Sequence, residues 1–326
     1  KLKIYDKFQM FDENYIQKDT GSGMAIALGK AVMKLAPILE KSKPDLILSG
    51  FDIAANFAVT VVGAHMNIPV AHIQGGEVSG NIDESLRHAM SKFSHYHFAA
   101  NQDAKKRLIK LGELKSNIFA VGCPSLDALF SEKNLSRIEV IRKFKIDILK
   151  DYILIIQHPV TTESKESKKQ IIEILKALKK INIQKLFVLP NNDSGAVNII
   201  KVIKKNKVNF TSTLKVQEYK TLLSNCTMLI GNSSSGIHEA ASFFKPVVNI
   251  GNRQNGRLKP RNVIDVECNT KEILNKINFV LKNKKFVKSL RKLKNPYGDG
   301  KSAIKIIKLL KKIRIDKKII QKKITY

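Results

Sequence analysis

The chain has 326 residues, 43% hydrophobic and 26% charged with no tryptophan, which excludes a disordered tail or fibre and predicts two domains at this length. Basic residues outnumber acidic ones 58 to 28, a formal charge of +30 that raises a nucleic-acid or membrane-surface reading. Only nine of them are arginines, no zinc-finger, RNA-recognition or basic-zipper pattern accompanies the lysines, and many, such as Lys165, Lys168 and Lys169, fall on solvated helix faces, so no nucleic-acid partner is expected.

Lys1 opens the chain inside a polar stretch, without a signal-peptide pattern, and an N-terminal segment is expected to be missing. From residue 23 onward, short apolar runs alternate with segments of helical period, the pattern of βα units and a parallel sheet. The periodicity predicts a helix over Ala25–Leu39, a strand over Asp45–Ser49, a helix over Ala54–His65, a strand over Pro69–Ile73 and a helix over Asp83–Phe93. Strands are expected next at His95–Ala100 and Ile118–Val121. The charged stretch Ser131–Asp151 reads as the domain boundary. After it come strands at Tyr152–Gln157, Lys185–Pro190, Met228–Ile230, Val247–Ile250 and Val263–Val266, with helices over Ser167–Lys179, Gln217–Leu223 and Ser235–Phe244.

This is an α/β chain of two Rossmann-like, doubly wound domains, assigned to residues 1–145 and 146–300, with a basic terminal helix in 301–326. The ligand belongs in the interdomain cleft, at the carboxyl ends of the strands. The terminal helix, Ala303–Ile313, carries an Ile/Leu stripe expected to pack on the domains, so no stable membrane association follows from its lysines. No apolar segment of about 18 residues stands out as a bilayer span. Cys123, Cys226 and Cys268 have no ligand or disulfide spacing, which fits a reducing, cytoplasmic setting and no metal site.

Each polar cluster follows a strand. His72-Ile73-Gln74-Gly75-Gly76-Glu77-Val78-Ser79-Gly80 lets a backbone approach a ligand closely, and Glu77, Asp83 and Glu84 bring carboxylates to the cleft. Asp83 reads equally as the N-cap of the following helix. His158, in Gln157-His158-Pro159-Val160-Thr161-Thr162, stands at a strand end, where a ligand contact and a structural role are both open. Pro190-Asn191-Asn192-Asp193-Ser194-Gly195 repeats such a turn. Gly231-Asn232-Ser233-Ser234-Ser235-Gly236-Ile237-His238-Glu239 places small residues and hydroxyls at a helix start, either a phosphate cradle or a serine cap, with Glu239 in reach of a ribose diol. Arg253 and Arg257, in the glycine loop Gly251–Arg257, add positive charge nearby.

These motifs, in this order, resemble the hydrolysing UDP-N-acetylglucosamine 2-epimerases, including those that supply N-acetylmannosamine or its bacillosamine-derived analogue for sialic-acid-like sugars. The resemblance spans about Gly23 to Asn269 and rests on HIQGGEVSGNIDESLRHAMSKFSHYHF, QHPVTTE, PNNDSG, GNSSSGIHEA and GNRQNGR. It implies a GT-B arrangement of the two domains and a nucleotide-sugar substrate, with no cofactor. It also implies that Ser233 and Ser234 meet the diphosphate, Glu239 the ribose, and His158 the phosphates and sugar, with Asp52 and Asp83 as active-site carboxylates. The implied reaction eliminates UDP across C1–C2 and adds water, giving UDP and the free 2-epimeric sugar. The sequence departs from the pattern at Gly50 and Ile53, which flank the Phe51-Asp52 pair, and in lacking the opening strand and substrate loop. It departs again at Gln74, where the family commonly has glutamate; an amide cannot take a proton near neutral pH. A catalytically impaired nucleotide-sugar-binding relative and a GT-B glycosyltransferase therefore stay open as alternatives. So does self-association into a homo-oligomer.

Overall fold

The computed structural model describes residues 20–50, 54–80, 82–191, 193–315 and 317–325. Among these, ten strands form two parallel sheets. The first holds β1 (Ile47–Gly50), β2 (Val70–Ile73), β3 (Tyr96–Ala99) and β4 (Ile118–Ala120) in sequential order. The second holds β5 (Tyr152–Ile156), β6 (Gln184–Val188), β7 (Phe210–Thr211), β8 (Met228–Gly231), β9 (Val247–Ile250) and β10 (Val263–Val266), in the order β10-β9-β8-β5-β6-β7.

The apolar runs explain why these sheets are parallel and covered on both faces. Ile153 and Ile155 of β5 enter one core with Ile171, Phe187 and Ile230. The alternating Tyr152, Leu154 and Ile156 enter another with Phe144, Leu186 and Leu229. A strand buried on both faces has no polar side to alternate with, and each fully buried Ile or Leu contributes about 1.5–3 kcal/mol.

Strand order in the second sheet reverses at β5. The chain runs outward through β6 to β7, then returns to place β8 on the other side of β5. Such a switch point leaves a crevice beyond the carboxyl ends of its two central strands. His158 follows β5 and the serine run follows β8, so both motifs face it.

Several elements differ from the sequence expectation. The stretch Ser131–Asp151 holds a helix, Arg137–Phe144, started by a capping box in which Ser136 and Glu139 satisfy each other's backbone N–H groups. Asp83 is the first residue inside its helix, and Ile82 occupies the cap position without a side-chain cap. The continuous helix expected over Ser235–Phe244 is a single α-turn, Ser235–His238, followed by a 3₁₀ turn, Ala240–Phe243, with the break at Glu239 (φ −113). Helix Gly21–Ser42 is by length and composition able to cross a membrane, against the expectation of no such segment; in the fold it packs on helix Ala54–His65, with Leu35 and Leu39 buried.

After the second sheet the chain crosses back. Helix Ser302–Leu310 packs Ile306 against Ala71, Tyr96 and Phe98 of the first sheet and Val121 just beyond it, the helix-stripe packing expected of the terminal segment. Beyond it, Lys322 donates to the carbonyls of Ser91 (2.7 Å) and Lys92 (3.0 Å) and pairs with buried Glu113.

Candidate active site

Asn232 ties the switch point together. Its side-chain oxygen accepts from the His158 N–H at 2.7 Å and its side-chain nitrogen donates to the His158 carbonyl at 2.9 Å. Its own carbonyl accepts from Arg253 (3.3 Å) and Gln254 (2.8 Å). One buried amide thus fixes the ends of β5 and β8 and the glycine loop after β9 relative to one another. Gly231 makes this close approach possible: at φ 126, a Cβ there would lie 2.0 Å from the Ile156 carbonyl oxygen.

The His158 ring stands 2.9 Å from Asn191 Oδ1 through Nδ1. The Asn191 backbone N–H donates to the same nitrogen at 3.4 Å, so the two contacts ask opposite roles of Nδ1. Burial, and then the Arg253 guanidinium, lower the His158 pKa to about 4, so the ring is neutral at physiological pH. It supplies a hydrogen-bonding group there rather than a charge.

Ser233 and Ser235 face each other through their hydroxyls at 3.1 Å, and Ser234 precedes the α-turn. Because that turn is so short, attraction for an anion comes from its N–H groups and hydroxyls and from Arg253, more than from a long helix dipole. Glu239 follows at the break. Together His158, Asn191 and Glu239 line a cleft of about 600 Å³, closed on the other side by Ser125 and Leu129 of the first half. That volume suits a nucleotide-sized ligand.

The loop after β2 meets the second half at a tight seam. The Gly80 N–H donates to the Arg253 carbonyl at 3.0 Å, and a Cβ on Gly80 would lie 2.1 Å from the Asn252 oxygen. Arg257 reaches across to the Val78 carbonyl at 3.1 Å. Glu77 and His238, both buried, pair across the seam at 3.3 Å, with the His238 ring packed at a 51° tilt against Tyr297, centroids 4.4 Å apart. Against burial, which alone would raise it, His238, Arg257 and Arg87 hold Glu77 at about 2. Against burial of its own, Glu77 pushes His238 to about 9.

Gln74 adopts a left-handed backbone (φ 63) and is buried, its side-chain amide donating to Cys123 Sγ at 3.1 Å. Cys123 in turn lies 3.1 Å from the Ser125 hydroxyl, which lines the cleft. Gln74 therefore sits one layer behind the cleft wall.

The structure thus gathers His158, Ser233, Ser234, Glu239 and Arg253 around the switch point and turns Arg257 toward the seam. It sets Asp83 at the start of its helix, just beyond the seam loop. Asp52 lies outside the described residues. Asn232, His238 and Tyr297 were not singled out from sequence as site residues. The first two lie inside the serine motif, but a seam partner for His238 is a long-range pairing that no local spacing reveals.

Residues 3–311 match the family model for UDP-N-acetylglucosamine 2-epimerase. A UDP-N,N'-diacetylbacillosamine 2-epimerase (hydrolysing) from Legionella pneumophila is 38% identical over 92% of this chain and 80% of its own length. A GDP/UDP-N,N'-diacetylbacillosamine 2-epimerase (hydrolysing) from Campylobacter jejuni is 33% identical over 78% of this chain and 68% of its own. Among solved structures, the Neisseria meningitidis UDP-GlcNAc 2-epimerase bound to UDP-GlcNAc superimposes with a TM-score of 0.75 at 21% identity, covering 89% of this chain and 82% of that one. The Methanocaldococcus jannaschii UDP-GlcNAc 2-epimerase in complex with UDP-GlcNAc and UDP gives 0.73 at 22%, covering 89% and 82%. The two parallel-sheet domains share the GT-B-like architecture of these structures.

Proposed function

The chain belongs to the UDP-N-acetylglucosamine 2-epimerase family, and on that premise we propose that it is a hydrolysing 2-epimerase. It acts on UDP-N-acetylglucosamine or a diacetamido-trideoxy relative in a reducing, cytosolic setting. The observation that carries this reading is the cleft between the halves, lined by a neutral strand-end histidine and Glu239, at the switch point that the serine turn follows. The names of the hydrolysing relatives support the same reaction class.

In this reading Ser233, Ser234 and Arg253 hold the diphosphate, with Arg257 adding charge from the seam, and Glu239 accepts from the ribose. A carboxylate, Asp83 or Asp52, removes the C2 proton as the C1–O bond breaks. The electron pair forms the C1=C2 bond and UDP leaves. Water then adds, its hydroxyl to C1 and a proton to the opposite face of C2. His158 meets the leaving group as a neutral ring, donating to a phosphate oxygen in the tautomer that carries its hydrogen on Nε2, while Gln74, bonded to Cys123, takes no proton.

Incubation with each nucleotide sugar in D₂O is expected to release UDP and the free 2-epimeric sugar with one deuteron at C2. Intact substrate after prolonged incubation counts against the catalytic reading. Tight UDP binding without turnover favours instead a binding-only relative, the reading that the Gln74–Cys123 contact supports.

A further inference from the structure

The end of the chain lies beside the amino-terminal ends of β2 and β3, at the opposite edge of the first sheet from the cleft. Tyr96 donates its hydroxyl hydrogen to the Arg314 carbonyl at 3.0 Å, and the Thr325 N–H donates to the Gly112 carbonyl at 2.9 Å. Between these two points Lys322 donates to the Ser91 and Lys92 carbonyls, at the carboxyl end of helix Asp83–Phe93, and pairs with buried Glu113. Ile319 adds a partly buried apolar contact. The described part of residues 314–325 is therefore a strap held largely by hydrogen bonds and one buried ion pair.

Two histidines beside it are built to be neutral. His95 Nδ1 accepts the Val70 backbone N–H at 3.1 Å, so the ring hydrogen is on Nε2, which donates to the Ile320 carbonyl of the strap at 3.3 Å. A backbone N–H cannot reverse its role, so a proton on His95 Nδ1 would set two donors against each other. His97 stands 3.0 Å from Glu113 Oε2 through Nε2, while its Nδ1 is buried without a partner among the described residues, and a proton there finds no acceptor. Burial first, and Lys322 after it, lower the pKa of both rings, against the opposing pull of Glu113 and, for His95, of the Ile320 carbonyl.

A single carboxylate serves the whole corner. Glu113 is held at about 2 by His97 and Lys322 against burial, so it stays ionised well into acid. Its ammonium partners are Lys322 from the strap and Lys92, 3.1 Å away, from helix Asp83–Phe93. His72, in register with His97 on the neighbouring strand, is pushed well down by burial and then by His97, and it keeps its contact with the Ser91 hydroxyl at 3.2 Å. Acid thus brings two further positive charges, on His95 and His97, to one negative charge. Of the four cations Lys92, Lys322, His95 and His97, Lys322 alone belongs to the strap. We propose that residues 314–325 are an acid-released strap: protonated His97, with His95 beside it, takes over Glu113 from inside the sheet and expels Lys322 together with the segment that carries it. The docked rings titrate below the ordinary 6.5, so docking is at full strength above that pH and weakens as pH falls, about tenfold per pH unit for each ring that takes up its proton only on release.

The test attaches a fluorophore to the carboxyl terminus of the full chain and follows its anisotropy from about pH 7.5 to about pH 4.5, with circular dichroism reporting the sheets and NMR the imidazole signals. In the parent the anisotropy is expected to fall to that of a free tail as His95 and His97 take up protons, with the circular dichroism unchanged. In a His95→Gln/His97→Gln variant, whose amides donate and accept as the neutral rings do but take no proton, it should stay high across the range. Release of the variant's tail at the parent's pH overturns the proposal, as does a parent strap that stays docked once both rings are protonated. Release in the parent while both rings are still neutral, or only together with loss of the sheet signal, overturns it as well, and these two outcomes are read without the variant should it fail to fold.

Discussion

Glu77 and His238 come from different halves of the chain, and each sets the other's protonation. Without a partner they titrate near 4.5 and 6.5; folded, they are held at about 2 and about 9. A raised histidine contributes fully below its unfolded pKa and loses that contribution as pH rises through the folded value. A lowered carboxylate contributes fully above its unfolded pKa and loses it as pH falls. The pair therefore stabilises most between about pH 4.5 and 6.5, fades toward pH 9, and fades again toward pH 2. Urea unfolding at pH 6 and pH 9 should show the parent losing about 1–3 kcal/mol that His238→Gln does not lose. A parent as stable at pH 9 as at pH 6 would contradict the pairing. At this scale the sequence was partly readable. Glu77 announced itself in a glycine loop after a strand, and the serine motif pointed to Glu239. His238 lay in plain view within that motif, but its meaning depended on a carboxylate about 160 positions earlier in the chain.

At the scale of elements, the two periodicities located most strands to within a residue or two, because strands buried on both faces read as unbroken apolar runs. The two-residue β7 was not legible, being too short for any period to show. Helix Arg137–Phe144 was hidden by its charges, although Ser136 and Glu139 carry the capping-box signature. The break at Glu239 escaped as well, since the helical pattern continues through it while tertiary packing bends the backbone. The turn between β8 and that break depends on Gly231, whose left-handed backbone lies against the Ile156 carbonyl. Gly231→Ala should cost about 3 kcal/mol or more, through both the strained φ and the clash with β5, and should weaken UDP binding by displacing the serine turn. Chemical denaturation together with UDP titration checks this; a variant with parental stability would show that the backbone shifts freely there.

For the molecule as a whole, the assignment of 301–326 as a separate terminal helix leaves out how much of the first half depends on it. Glu113 is buried and held at about 2: burial would raise it, but His97 and Lys322 outweigh burial. Burial pushes the His97 pKa down, so the counter-charge comes mainly from Lys322, with Lys92 at 3.1 Å from the other oxygen. Lys322→Met should therefore destabilise the protein by about 2–4 kcal/mol while leaving UDP affinity unchanged, because the cleft lies elsewhere. Unfolding curves and nucleotide titration of the same variant separate those two effects, and a neutral substitution would show the pair to be dispensable. The returning segment also bears on synthesis. A ribosome releases the first sheet long before residues 302–322, which supply Ile306 to its apolar face and the ammonium for Glu113. The half made first thus completes its core last, and during translation it must wait, with part of its apolar surface uncovered, for the second half to be finished.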